Sequence, residues 1–342
     1  MTLRTCDPLS TLPAASLWSR WKLLLVSCLL FAAACQGGWC GVGTGRVQYL
    51  SIATGNTGGV YYPYGGGLAK VITDHVPGVQ ATAEATAASV DNLKLLRDGR
   101  ADIAFTTADT LAQAVNGEGA FAGNVVPART LAVLYTNLVH LVTLEGTGVR
   151  SIGSLRGRTI STGAAGSGTE ITALRILRVV NVDPDRDLVR QALGVSESAG
   201  ALKDGKIDAF FWMGGVPTPA LQDLSHTPGV RMHLVSTGTV MTMLQNRYGP
   251  TLYFREDVPA GVYGNPAPVS MTAMANVLVV SRDMPDDLAY SITRAVFEHL
   301  DELHAVHPEA RKLTVKSAAQ PSPAAFHPGA ARYYRERGVL AQ

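Results

Sequence analysis

Leu96-Arg97-Asp98-Gly99-Arg100-Ala101-Asp102-Ile103-Ala104-Phe105 aligns without a gap on Leu202-Lys203-Asp204-Gly205-Lys206-Ile207-Asp208-Ala209-Phe210-Phe211. Leu, Asp, Gly, Asp and Phe are identical at five positions, and both basic positions keep their charge. Each copy reads as a helix ending in a glycine cap, then a basic residue and an aspartate leading into a buried strand. Upstream of each copy stands a second shared unit. Val47 to Ala53 alternates as a strand, Gly55-Asn56-Thr57-Gly58-Gly59 turns, and Tyr64 to His75 is periodic as a helix. About a hundred residues later Thr159 to Thr162 is a strand, Gly163 to Thr169 the turn and Glu170 to Val180 the helix. Two copies of this grammar predict two related α/β lobes and exclude a solenoid, which needs three or more short repeats.

Leu131 to Tyr135 and His140 to Leu144 read as strands crossing between the lobes, and Asn276 to Val280 as a buried strand crossing back. Pro285 to His304 is periodic as one helix, and the Pro- and Ala-rich stretch from Lys316 to Gln342 as a strap over the surface. The expected division is 1–34 a leader, 35–45 a tether, 46–138 with 271–342 the first lobe, and 139–270 the second. Opening and closing is expected about the crossing segments near Asn137 and Met274.

The chain has 342 residues, 46% hydrophobic and 16% charged, which excludes a disordered chain. All four cysteines, Cys6, Cys28, Cys35 and Cys40, lie in the first forty residues, so neither a zinc cage nor a disulfide framework is available to the body of the protein. Arg4, Arg20 and Lys22 precede the apolar run Leu23 to Ala34, too short to span a bilayer comfortably and typical of an export signal. Ala32-Ala33-Ala34-Cys35 fits lipoprotein processing with a lipid anchor at Cys35, and ordinary cleavage nearby fits equally. Either route places the mature protein in the periplasm or on the outer face of the cytoplasmic membrane. The stretch before the apolar run is long for such a signal, which points to translation starting downstream of Met1. Removing 1–34 takes three of the 29 basic residues and one of the 27 acids, leaving a neutral remainder with no basic block. Nucleic-acid binding therefore has no electrostatic footprint.

The two glycine turns carry the chemistry. Glycines let a ligand approach backbone N–H groups, and the helix N-terminus that follows adds partial positive charge suited to a carboxylate or phosphate. Gly166-Ser167-Gly168-Thr169 adds two hydroxyl donors. Ser89-Val90-Asp91-Asn92 either caps the helix that ends at Gly99 or aims a hydroxyl and an amide into the cleft. Trp212 either packs or lines the ligand-bearing edge of its strand. A phosphate loop is excluded at Gly200 to Lys206, because Ile207 stands where Ser or Thr is required and the segment precedes a strand. No three-glycine dinucleotide fingerprint, Gly-x-Ser-x-Gly elbow or His-Glu-x-x-His helix occurs. His304 and His307 straddle a helix end before Pro308, where capping or surface roles suffice. No cofactor, metal site or catalytic residue is expected, and the chain is not read as an enzyme.

These residues resemble the solute-binding subunits of tripartite ATP-independent periplasmic (TRAP) transporters, in the TAXI branch. The resemblance runs through Ile52-Ala53-Thr54-Gly55 to Tyr61-Tyr62-Pro63, Ser89 to Leu93, Gly166 to Thr169, Leu202 to Phe211 with Pro217-Thr218-Pro219, and Val258 to Tyr263. It continues through Phe297 to Leu303 and His327 to Ala330. It implies the two-lobed, type II-like periplasmic binding protein fold with a ligand cleft between lobes. It also implies a small carboxylate or amino-acid ligand such as glutamate or a dicarboxylate, and transporter membrane subunits driven by an ion gradient as partners. Thr107-Ala108-Asp109 stands where the family usually has Gln-Ser-Asp, and Ala165 where it has Pro. The lost amide bears on which carboxylate is taken. On this reading Thr57, Gly58, Gly59, Asn92, Ser167, Gly168 and Thr169 contact the carboxylate, while Tyr61, Thr107, Tyr135, Trp212 and Pro217 shape the walls. The alternatives are a binding protein of an ATP-driven importer and a surface sensor or antigen without transport.

Overall fold

The structure, a computed structural model, describes residues 47–341. The expected leader, Cys35 and the tether lie outside those residues. The first lobe begins with β1 (Gln48–Ala53), α1 (Tyr61–His75), β2 (Val79–Glu84), α2 (Ser89–Arg97), β3 (Ile103–Thr107) and α3 (Ala108–Asn116). Helix α1 starts three residues earlier than its periodicity suggests, because Pro63 falls in the first turn, where its missing N–H costs nothing. After β4 (Ala128–Leu144) the second lobe repeats the pattern with β5 (Thr159–Ser161), α4 (Gly168–Val179), β6 (Val189–Gln191), α5 (Val195–Lys203) and β7 (Ala209–Gly214). It continues with α6 (Pro219–Ser225), β8 (Met232–Val235), α7 (Met241–Tyr248) and β9 (Phe254–Val258).

The internal repeat has one structural meaning in both copies. Gly99 and Gly205 take φ values of +68° and +69°, the left-handed region that glycine enters without penalty. The aspartate three residues on then staples its strand to the first strand of the same lobe. Asp102 Oδ2 accepts from the Ser51 amide at 2.8 Å, and Asp208 Oδ2 from the Thr159 amide at 2.9 Å.

Strand order is β2-β1-β3-β10-β4-β7-β5-β6, with β10 (Val269–Ser281) and β4 antiparallel at the centre and parallel strands on each side. The two expected strands within 131–144 are one strand of 17 residues that serves both lobes. Asn137 faces Met274 across the β4–β10 ladder, and the first register shift follows at once, between Ala275 and Val277. A bulge there weakens pairing where the lobes join.

Each lobe is a three-layer sandwich. On the first, α1, α8 (Asp286–Glu298) and α11 (Pro328–Glu336) bury Tyr64, Ile72, Ile292 and Tyr333 on one face, and α2 and α3 bury Leu93 and Leu111 on the other. On the second, α4 and α7 bury Ile176 and Leu244, while α5 and α6 bury Leu202 and Leu221. The expected helix 285–304 breaks at His299 into α8 and α9 (Leu300–His304). The expected surface strap is a correction. The short α10 (Val315–Ala318) and α11 belong to the first core, where Tyr334 is fully buried and its hydroxyl donates to the Leu131 carbonyl at 2.7 Å. The buried side of α11 is made of Gly329, Ala330 and Ala331 with Tyr333 and Tyr334, among flanking arginines, rather than of large aliphatic residues.

Candidate ligand-binding cleft

The second glycine turn delivers the N-terminus of α4 to the space between the lobes. Ser167 is its N-cap, its hydroxyl accepting from the Glu170 amide at 3.0 Å. The Ile171 amide makes the bond back to the Ser167 carbonyl, so the Gly168 and Thr169 amides precede any intrahelical partner. Thr169 Oγ1 accepts from the Met213 amide at 3.2 Å. Each hydroxyl has accepted one bond and keeps its proton to donate.

These groups line a cavity closed on the other side by Gly59, Tyr61, Thr107, Tyr135 and Asn137, with Trp212 along one wall. The centre of a water molecule can move through about 30 Å³ of it, two to three times the minimum for one water. No charged side chain lines it among the described residues. At its floor the Tyr61 hydroxyl and Asn137 Nδ2, the latter at 2.6 Å, both donate to Asn276 Oδ1. Asn137 Oδ1 and the Tyr135 hydroxyl are buried without a protein partner. Burial holds the Tyr135 hydroxyl well above the usual phenol range, so it stays protonated.

Eight of the twelve residues expected at the ligand line this cavity: Gly59, Tyr61, Thr107, Tyr135, Ser167, Gly168, Thr169 and Trp212. Four do not. Thr57 is exposed on a separate groove with Gly194 and Ser196. Gly58 faces the second lobe, its carbonyl accepting from the Ala220 amide at 3.2 Å. Asn92 is fully buried, and its amide donates to the carbonyls of Ala53, Thr54 and Phe105 at 3.2, 2.6 and 2.8 Å. With its oxygen taking the Thr86 hydroxyl at 2.5 Å, nothing is left for a ligand. Pro217 sits in a loop held to the C-terminal segment by the Val216 amide, which donates to Glu309 at 2.7 Å, and does not reach the cavity.

The glycines also have a second role. A Cβ on Gly59 would lie 2.9 Å from Trp212 Cη2, and one on Gly168 would lie 2.7 Å from Ser89 Oγ. Small residues here let the lobes meet. Asn137 escaped the sequence reading as a lining residue, although one amide in an apolar strand was a visible signal.

Residues 52–338 match the NMT1-like family. The chain belongs to the NMT1-like family. This NMT1-like chain is similar to a protein of Bordetella bronchiseptica RB50, at 17% identity over 86% of this chain and 89% of that one, with a TM-score of 0.50. It is also similar to the binding protein component of an ABC phosphonate transporter from Pseudomonas aeruginosa, at 13% identity over 77% and 78%, with a TM-score of 0.50. The periplasmic aliphatic sulphonate binding protein SsuA from Escherichia coli matches at 13% identity over 78% and 80%, with a TM-score of 0.42. The fold is therefore the α/β two-lobed periplasmic binding protein fold of type II.

One metal-capable cluster occurs among the described residues of this NMT1-like chain, away from the cleft. His75 Nε2 lies 2.7 Å from Glu302 Oε1, and His299 Nδ1 lies 3.5 Å from it. The two imidazoles stack at 3.4 Å with planes 5° apart, so their in-plane lone pairs run parallel and do not converge on one ion. Separated by more than two hundred positions, the pair had no spacing signal in the sequence.

Proposed function

We propose that this NMT1-like protein is an exported receptor that closes its lobes on a small carboxylate and presents it to the membrane subunits of a transporter. The observation that carries the reading is the first turn of α4, where two amides and the hydroxyls of Ser167 and Thr169 converge on an interlobe cavity. A helix N-terminus offers about half a positive charge, and charge-assisted hydrogen bonds are worth roughly 1.5–3 kcal/mol each. Donors come from the second lobe and the polar floor from β4, so ligand contacts are complete only when the lobes meet. That differential affinity is what drives closure. The rigid bodies are 46–138 with 271–342, and 139–270, hinged where Asn137 pairs with Met274.

The uncharged walls supply no general base, which supports binding over catalysis. The TAXI resemblance supports coupling to an ion gradient, with the protein in the periplasm either free or anchored through Cys35. Service to an ATP-driven importer is the second reading, favoured by the likeness to the ABC phosphonate transporter component. Thermal shift with carboxylates, phosphonates and sulfonates tests the ligand class, since ligand at about a thousand times Kd adds about 4 kcal/mol of stability. Stabilisation by carboxylates is expected, and stabilisation by phosphonates or sulfonates alone overturns the reading. Uptake driven by an imposed ion gradient without ATP distinguishes the two transporters.

A further inference from the structure

We propose that the cleft selects a zwitterionic monocarboxylate, with its carboxylate at the α4 N-terminus, its ammonium at Asn137 Oδ1 and the Tyr135 hydroxyl, and no further charge. The inference rests on the carboxylate reading above and narrows it.

The two walls differ in what they offer. On the second-lobe side the first turn of α4 offers donors: its amides and the protons of Ser167 and Thr169. On the floor the Tyr61 hydroxyl and Asn137 Nδ2 are already spent as donors, and the Tyr135 hydroxyl is left able both to donate and to accept. Because the Tyr61 hydroxyl and Asn137 Nδ2 both point at Asn276 Oδ1, Asn137 turns its oxygen, an acceptor, to the cavity it lines. A buried acceptor without a partner calls for a ligand donor.

The carboxylates nearest this floor, Asp109 and Glu309, are each paired with a cation, Arg175 at 2.9 Å and Lys312 at 2.9 Å. Thr107, which lines the cavity, donates to Asp109 at 2.7 Å, while Arg175, the cation on Asp109, faces a separate groove with Tyr248. A Cβ on Gly215 would stand 2.5 Å from Glu309 Cγ and 2.8 Å from Tyr135 Cε2, so Glu309 lies close behind Tyr135. Burial pushes both phenols up, with Asp109 adding a smaller push to Tyr61 and first Tyr61, then Glu309, adding to Tyr135. With both carboxylates paired, the ammonium is held by the two unpartnered oxygens, Asn137 Oδ1 and the Tyr135 hydroxyl, which take two of its three protons. A second carboxylate has no cation to meet, since no charged side chain lines the cavity among the described residues. Its desolvation would go uncompensated.

The test is calorimetric titration of the protein isolated from cells that make the full chain. The probes are uncharged-side-chain amino acids from glycine to leucine, their deaminated counterparts, glutamate and succinate. At least one amino acid is expected to bind, with its deaminated counterpart weaker by about tenfold or more. Asn137→Leu should weaken the amino acid more than its deaminated counterpart, narrowing the gap between the two from about tenfold to within about threefold. Tyr135→Phe, which keeps the ring packing, should act in the same direction if Asn137→Leu does not fold. Tight binding of glutamate or succinate, or equal affinity with and without the amine, overturns the inference and leaves the carboxylate reading standing. Binding by no carboxylate overturns both.

Discussion

Asp109 on α3 accepts a hydrogen bond from Arg175 Nη1 on α4 at 2.9 Å, a carboxylate of the first lobe held by a guanidinium of the second. Asp109 is wholly buried and also takes the Tyr253 hydroxyl at 3.0 Å and the Thr172 hydroxyl at 3.2 Å, both from the second lobe. Removing one partner of a buried pair strands the other charge. Asp109→Ala should therefore cost about 3–5 kcal/mol in denaturant unfolding. A double variant with Arg175→Met should cost less than the sum of the singles, and strict additivity would show that the two charges do not interact.

His140, fully buried on β4 with its ring edge-on to Tyr263, is pulled by burial from 6.5 to about 4. The unfolded chain takes up a proton below about pH 6.5, whereas the folded one waits until about pH 4, so the stability from neutral His140 is full above 6.5 and drains as pH falls. His140→Leu removes that titration. Unfolding of the two proteins between pH 7 and pH 4 should show wild type losing on the order of 3 kcal/mol relative to the variant. Parallel pH curves would contradict it.

Asn92→Ala is a stability variant. It leaves the carbonyls of Ala53, Thr54 and Phe105 without their shared donor, and each stranded buried group costs about 1–3 kcal/mol. The melting temperature should drop markedly, while molecules that remain folded bind any identified ligand with unchanged affinity. A large loss of affinity at constant stability would return Asn92 to the site.

Gly329 opens α11 directly against α8, where a Cβ would lie 2.1 Å from the Asp286 carbonyl oxygen and 2.7 Å from the Tyr290 amide nitrogen. Backbone cannot rotate aside as a side chain can. Gly329→Ala should push α11 off the first lobe and cost roughly 1–3 kcal/mol by overpacking, despite the better helix propensity of alanine. Chemical denaturation measures it, and a gain in stability would mean that the helices separate freely.

The sequence by itself determined the duplication, the strand–turn–helix units and the two lobes. Those features are local: glycine caps at Gly99 and Gly205, Asp102 and Asp208 in one register, and an apolar period carried by neighbouring residues. It also picked out the α4 N-terminus, because Ser167-Gly168-Thr169 announces a cap and free amides within four positions. Tertiary structure decided which of the remaining polar groups face the cleft. Asn92 and Asn137 look alike in sequence, yet β1 and β3 lay three carbonyls around Asn92, whereas Tyr61 and Asn276 orient Asn137 so that its oxygen is left over. A side chain's free valence depends on partners brought from 38, 139 or 215 positions away, and no local pattern encodes those distances. The same holds for α11, whose burial is set by the helices it meets, and for Gly58, where the carbonyl meets Ala220 only once the second lobe has folded across it.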